Sequence, residues 1–220
     1  MKVKDRMTTE VKVVQLDTSL NEAFRIMKES NIRRLPVQDK GKLVGITTLS
    51  DLNQAAPSSA TSLSVHELNY LLAKTKIKDI LPKKQTVFTV TPETYIETAA
   101  KIMRQNKISG LPVSEGDELV GIITETDVFD ALIDILGVHK PHSRIDVYIS
   151  EAPGTLADLT GMIASKGINI LNAVAYHDDK KDRYKAIIRV ETLDCEPILQ
   201  EFKKRGYDIE SVLTVDSMEE

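Results

Sequence analysis

The chain has 220 residues, 41% of them hydrophobic and 28% charged, with a formal net charge of −4. This is a globular balance, without the basic surplus of a nucleic-acid binder or the run of ~18 apolar residues that a membrane span needs. A single cysteine, Cys195, excludes an internal disulfide, and Met1 leads into no apolar signal segment, so the expected location is the cytoplasm.

Taken in chain order, Val11–Val14 is a β-branched run that predicts a strand. A helix follows with Leu20, Ala23, Phe24 and Met27 on one face, and Ser19 with Glu22 offers a capping box. Leu35-Pro36-Val37 reads as a strand whose proline, lacking a ladder donor, belongs at a start or an edge. After a charged turn over Asp39–Lys42, Leu43-Val44-Gly45-Ile46 predicts a buried strand that runs into Thr48, Asp51 and a second helix. The segment 55–62 reads as a loop. Ser64 then opens a helix with Val65, Leu68, Leu71 and Leu72 along one side, either a connector or an interaction helix.

Displaced by 76 residues, the chain falls on itself: Val14 onto Val90, Ala23 onto Ala99, Leu35-Pro36-Val37 onto Leu111-Pro112-Val113, Gly45 onto Gly121. The second copy therefore predicts a strand at Val87–Val90 and a helix with Ile96, Ala99, Ala100 and Met103 inward, capped by Thr94 with Glu97. Val3-Lys4-Asp5 resembles Ile77-Lys78-Asp79 at a displacement of 74, which implies a change of two residues between. Each copy reads β-α-β-β-α and is too small to bury a core alone, so the two pack together.

Gly45-Ile46-Thr47-Thr48-Leu49-Ser50-Asp51 and Gly121-Ile122-Ile123-Thr124-Glu125-Thr126-Asp127 carry the chemistry. At a strand-to-helix junction a carboxylate can accept from two vicinal ribose hydroxyls, and a threonine can bond a sugar or phosphate oxygen beside the first helical N–H groups. Thr and Asp at this spacing also cap a helix with no ligand at all. Two copies in register weigh towards binding, but both readings stay open for each copy.

On the Leu-Pro-Val strand and the Gly-apolar-x-Thr-x-x-Asp ending, residues 3–133 resemble a tandem pair of CBS domains. The resemblance implies an α+β fold, two repeats about a pseudo-two-fold axis, and two clefts for an adenosine-containing ligand such as AMP or ATP. It places Asp51 and Asp127 on ribose hydroxyls, with Thr48 and Thr124 on sugar or phosphate. Adenine would lie among Ile32, Leu35 and Pro36 in one copy and Ile108, Leu111 and Pro112 in the other. Arg33 and Arg34 align with Ser109 and Gly110, and Asn31 with Lys107. Phosphate is therefore expected on Arg33 or Arg34, backed by Lys107, because guanidinium binds phosphate bidentately. As solvated strand-end charges these arginines would do neither.

Beyond a linker at 137–143 the pattern changes. Arg144–Ile149, Ile168–Tyr176, Tyr184–Val190 and Ser211–Val215 predict strands. A helix with Leu156, Leu159, Met162 and Ile163 inward follows the first, and one with Ile198, Leu199 and Phe202 follows the third. The order βαββαβ is ferredoxin-like. Through Glu151-Ala152-Pro153-Gly154-Thr155-Leu156 and Gly167-Ile168-Asn169-Ile170 this segment resembles an ACT domain. That implies an amino-acid or small-metabolite site near Gly154, Thr155, Leu156, Asn169 and Ile170, and a homodimer with sheets joined edge to edge. Asn169 reads equally as a turn residue.

The expected divisions are repeat one at 1–53, an insert at 54–76, repeat two at 77–136, the linker, and the ACT-like domain at 144–216. This order resembles the bacterial acetoin-utilisation protein B (AcuB) group, which implies a role in acetoin use. No P-loop, G-x-G-x-x-G, H-E-x-x-H or G-x-S-x-G motif is present. His139 and His142 lack companion metal ligands, and Cys195 between Asp194 and Glu196 is disfavoured as a thiolate. The expectation is a non-catalytic sensor with an adenine nucleotide as regulatory ligand, no catalytic cofactor and a regulated protein partner. The alternative is an assembly or dimerisation scaffold without nucleotide sensing.

Overall fold

A computed structural model describes residues 1–57 and 64–216, in two compact units that divide after Val128. In the first unit, strand β1 (Val14–Gln15) and helix α1 (Leu20–Glu29) precede the hairpin β2 (Arg34–Asp39) and β3 (Lys42–Thr48) and helix α2 (Leu49–Ala55). Ser19 caps α1 by accepting from the Glu22 amide at 3.2 Å. Val14, Leu20, Ala23, Met27, Leu35, Val37 and Leu52 close one apolar core.

The predicted first strand shrinks to two residues, and this explains Pro36. Strand order is β1-β2-β3, with β1 joining β2 only at Val37 and Gln38. Pro36 thus stands inside β2, opposite Ile46, rather than at its start. Ile46 turns its backbone polar groups outward to Gln85 and not to β2. A proline there forfeits no ladder bond.

Helix α3 (Val65–Lys74) opens with the Ser64–Glu67 capping box. The loop expected over 55–62 lies largely outside the described residues. A single turn, α4 (Ile77–Ile80), leads towards α5 (Ile96–Asn106), the hairpin β4 (Gly110–Glu115) and β5 (Glu118–Thr124), and α6 (Glu125–Leu136). The strand predicted at Val87–Val90 is reduced to a bridge from Val90 to Val113. The expected Thr94–Glu97 box is absent: Tyr95 is the N-cap of α5, and Thr94 Oγ1 accepts from the Thr91 amide instead.

The leading segment of each repeat packs on the other repeat. Ile77, expected in repeat two, is fully buried in the first repeat's core, and its N–H donates to Thr18 O at 2.9 Å. Val3 reciprocates, donating to Thr94 O at 2.8 Å. Lys4 N–H reaches Pro92 O as Lys78 N–H reaches Leu16 O. Lys2 and Lys4 both pair with Glu93 at 2.6 Å. The repeats are joined by exchanged arms.

The second unit contains β6 (His142–Ile149), α7 (Thr155–Ser165), β7 (Ile170–Asp178), β8 (Arg183–Val190), α8 (Glu196–Lys204) and β9 (Asp208–Val215). The strands form one antiparallel sheet in the order β7-β8-β6-β9. The strand predicted at Ile168–Tyr176 begins at Ile170 and carries a register shift between Ile170 and Asn172. Ile145, Val147, Leu159, Ile163, Ile188, Ile198 and Phe202 form its core, with Cys195 buried among them. Among the described residues no helix is long and apolar enough to cross a membrane.

Candidate functional site

Strand β3 ends at Thr48, which is the N-cap of α2. Asp51 is three residues on, one turn into the helix. Thr48 N–H and Oγ1 both donate to Asp51 Oδ2 at 2.7 Å, and the Asp51 amide returns a bond to Thr48 Oγ1 at 3.2 Å. The second copy repeats this: Thr124 N–H and Oγ1 donate to Asp127 Oδ2 at 2.7 and 2.8 Å. The helix-cap role is therefore real in both copies. It engages Oδ2 and leaves Asp51 on the wall of a cavity.

That cavity, about 410 Å³, is lined by Ile46, Thr47, Asp51, Gln54 and Ala55 from the first repeat and by Ile80, Leu81, Pro82 and Gln85 from the arm of the second. Gly45 permits the arm's approach, since a Cβ there would lie 2.7 Å from Gln85 Oε1 and 2.8 Å from Leu81. Thr47 Oγ1 is buried without a hydrogen-bond partner, on the hairpin face that Thr47 shares with its cross-strand neighbour Leu35.

The expected adenine neighbours are not among the residues that line this cavity. Leu35 and Leu111 are 0% exposed, each turned into the interior of its repeat, and Pro36 and Pro112 are buried as well. Strand alternation turns Leu35 to the core and Pro36 to the opposite face, beside Ile46. Ile32 is half-buried against the same core as Leu35, and Ile108 is half-buried at the corresponding place. The apolar wall of the cavity comes instead from Ile46, Ile80, Leu81 and Pro82.

Arg34 is also committed elsewhere. Its guanidinium donates to the Ser109 carbonyl, and Nη2 donates to Ser109 Oγ at 2.6 Å. It lies so close over Gly110 that a Cβ there would stand 2.6 Å from Nη1. Aligned positions of the two repeats thus meet, which gives the Arg34–Gly110 asymmetry a structural purpose. Burial lowers the pKa of Arg34, against the pull of Glu125 and Asp127. Arg33 is exposed, and Lys107 stands exposed at the left-handed C-cap of α5.

In the second unit Gly154 takes φ +90° as the N-cap of α7, a conformation that favours glycine. Thr155 and Leu156 line a cavity of about 270 Å³ with Ile149, Glu151, Pro153 and Tyr184. Asn169 and Ile170 stand beyond the far end of α7, about 16 Å away by helical rise. Asn169 there donates to Glu191 at 2.9 Å. Within one chain the expected site is therefore divided.

The sequence reading missed Ile80, Leu81, Pro82 and Gln85. The displacement of 74 at Ile77 against 76 at Val90 was the available signal, because it marks the arm as a piece with its own spacing.

A family model described as the CBS domain matches residues 3–58 and 77–134. A CBS domain-containing protein of Dictyostelium discoideum is 34% identical over 143 residues, covering 64% of this chain and 97% of that protein. Longer curated relatives are spanned less fully, 51% of one and 22% of another. Among solved structures, a putative acetoin utilization protein (AcuB) from Vibrio cholerae is 32% identical with TM-score 0.50, covering 62% of this chain and 93% of that one. CBSX2 in complex with AMP is 28% identical with TM-score 0.50, covering 61% and 97%.

Proposed function

The chain belongs to the CBS-domain family, and from that premise we propose that its paired repeats are a non-catalytic regulatory sensor of an adenosine-containing ligand. The carrying observation is the cavity beside β3, where Asp51 shares the wall with Ile46 and with the apolar residues Ile80, Leu81 and Pro82 of the exchanged arm. Ribose hydroxyls would donate to Asp51 while Oδ2 keeps its cap, and the base would lie against Ile46, Leu81 and Pro82. Asp127 and Thr124 would serve the second cleft in the same way. Phosphate would fall to Arg33 and Lys107, since Arg34 holds Ser109. The AMP complex of the related CBSX2 supports the ligand class.

The second unit is read as an ACT-type domain of ferredoxin-like topology, supported by its strand order β7-β8-β6-β9 and the glycine-opened helix α7. An amino acid or similar metabolite at Thr155 and Leu156 would need Asn169 and Ile170 from a second copy, which makes a homodimer part of this reading. A pair of CBS repeats followed by such a domain, with the likeness to the Vibrio protein, supports a role in acetoin use.

A second reading, a scaffold whose Thr-x-x-Asp motifs only cap helices, is favoured by the engagement of Oδ2 in both copies. Thermal unfolding with AMP, ATP and S-adenosylmethionine separates the two. A binder at a hundredfold excess over Kd gains ~2.7 kcal/mol, whereas the scaffold gains nothing from any of the three.

A further inference from the structure

At the cavity wall the outer edge of β3 presents the N–H and C=O of Ile46. The Ile46 N–H donates to Gln85 Oε1 at 2.7 Å, and Gln85 Nε2 donates to the Ile46 carbonyl at 3.0 Å. In the other repeat the matching Ile122 groups are held by backbone: Thr8 N–H donates to Ile122 O and Ile122 N–H to Thr8 O, both at 2.9 Å. At the displacement of 74, Thr8 corresponds to Pro82. Proline has no N–H to give, so the backbone bridge cannot form in the first repeat, and a side chain three residues on supplies both bonds.

A primary carboxamide offers an acceptor and a donor side by side. Adenine offers the same pair along its pairing edge, N1 as acceptor and the 6-amino group as donor. Hypoxanthine and guanine present the reverse pattern. A backbone pair of one donor and one acceptor is therefore a reader of 6-aminopurines, and in this structure a glutamine occupies it. A side chain leaves by rotating about its χ angles, whereas the Thr8–Ile122 bridge opens only if the arm itself moves.

We propose that Gln85 is a displaceable competitor for the base at the Asp51 cleft, holding the Ile46 reader until a 6-aminopurine takes its place. The proposal rests on the adenosine-ligand reading above and deepens it. It also makes the clefts unequal: the base enters the Asp51 cleft by a rotamer change, while the Asp127 cleft keeps its reader closed.

The test is calorimetric titration of the full chain with AMP and with inosine monophosphate, in the wild type, Gln85→Met and Gln85→Ala. Methionine fills similar space without either hydrogen bond. Both variants are expected to bind AMP more tightly by about five- to a hundredfold, the worth of two ordinary hydrogen bonds no longer surrendered on binding. Inosine monophosphate should bind each protein at least about tenfold more weakly than AMP, because a mismatched donor and acceptor leave the reader unpaired. Thermal melts confirm that each variant is folded, and alanine stands in if methionine is not. AMP affinity unchanged by both substitutions, or equal affinity for the two nucleotides, overturns the proposal while leaving the adenosine reading intact. No binding of AMP to the wild type or either variant overturns both.

Discussion

Asp51 serves two masters. One carboxylate oxygen closes the N-terminus of α2, and the residue also forms part of the cavity wall. Substitutions must therefore be chosen to separate the roles. Asp51→Asn keeps a side-chain acceptor for the cap but loses the charge that favours two ribose hydroxyls. Arg34 makes the converse case, because its bonds go to Ser109 in the other repeat. Arg34→Ala should cost about 1.5–3 kcal/mol in urea unfolding, the usual loss for hydrogen bonds to a charged group. AMP affinity should stay within about twofold, far short of the tenfold that 1.4 kcal/mol would give. A tenfold loss of affinity would return Arg34 to the phosphate.

At the scale of elements the exchanged arms matter most. Ile77 leads the second repeat in sequence yet completes the first repeat's core. Ile77→Ala should destabilise the protein by about 2–5 kcal/mol, as core truncations do. Hydrogen exchange should show lost protection in α1, whose own sequence is untouched. If protection falls only in α5, the arm acts within its own repeat and the exchange is wrong. The repeat, the hairpins and the Thr-x-x-Asp junctions were legible because they depend on local pattern: alternation, turn residues and cap spacing. The arms were not, since nothing local tells Ile77 which of two similar cores it will enter. The arm's share of the cavity wall was not legible for a related reason. Leu35 carries a strong family signal, but its place in the alternation of β2 commits it to the core, and Leu81 and Pro82 reach the cavity from more than 45 residues further along the chain.

At the scale of the whole molecule, each unit carries a carboxylate whose charge is held by cations. In the first, hydrogen bonds from Lys2 and Lys4 bring Glu93 from 4.5 to about 2. In the second, Lys185, then Tyr148 and Lys181, do the same for Glu210. A depressed carboxyl pKa gives stability that is complete above the unfolded value and lost as pH falls through the folded one. Melting temperatures of both units should therefore drop between about pH 4.5 and 2. Glu210→Gln should flatten the fall in the second unit alone, and an unchanged pH slope would show that its ion pairs contribute nothing. A ligand in the first unit can signal only if it binds two arrangements of the protein with different affinity.

The central claim is that the Asp51 cleft holds the sugar of an adenosine compound, and calorimetric titration of AMP into the wild type and Asp51→Asn tests it most directly. The account predicts a weakening of about ten- to a hundredfold, from ~1.5–3 kcal/mol of charged hydrogen bonding, in a variant that melts within a few degrees of the wild type. Equal affinity in the two proteins would contradict it and leave Asp51 as a helix cap.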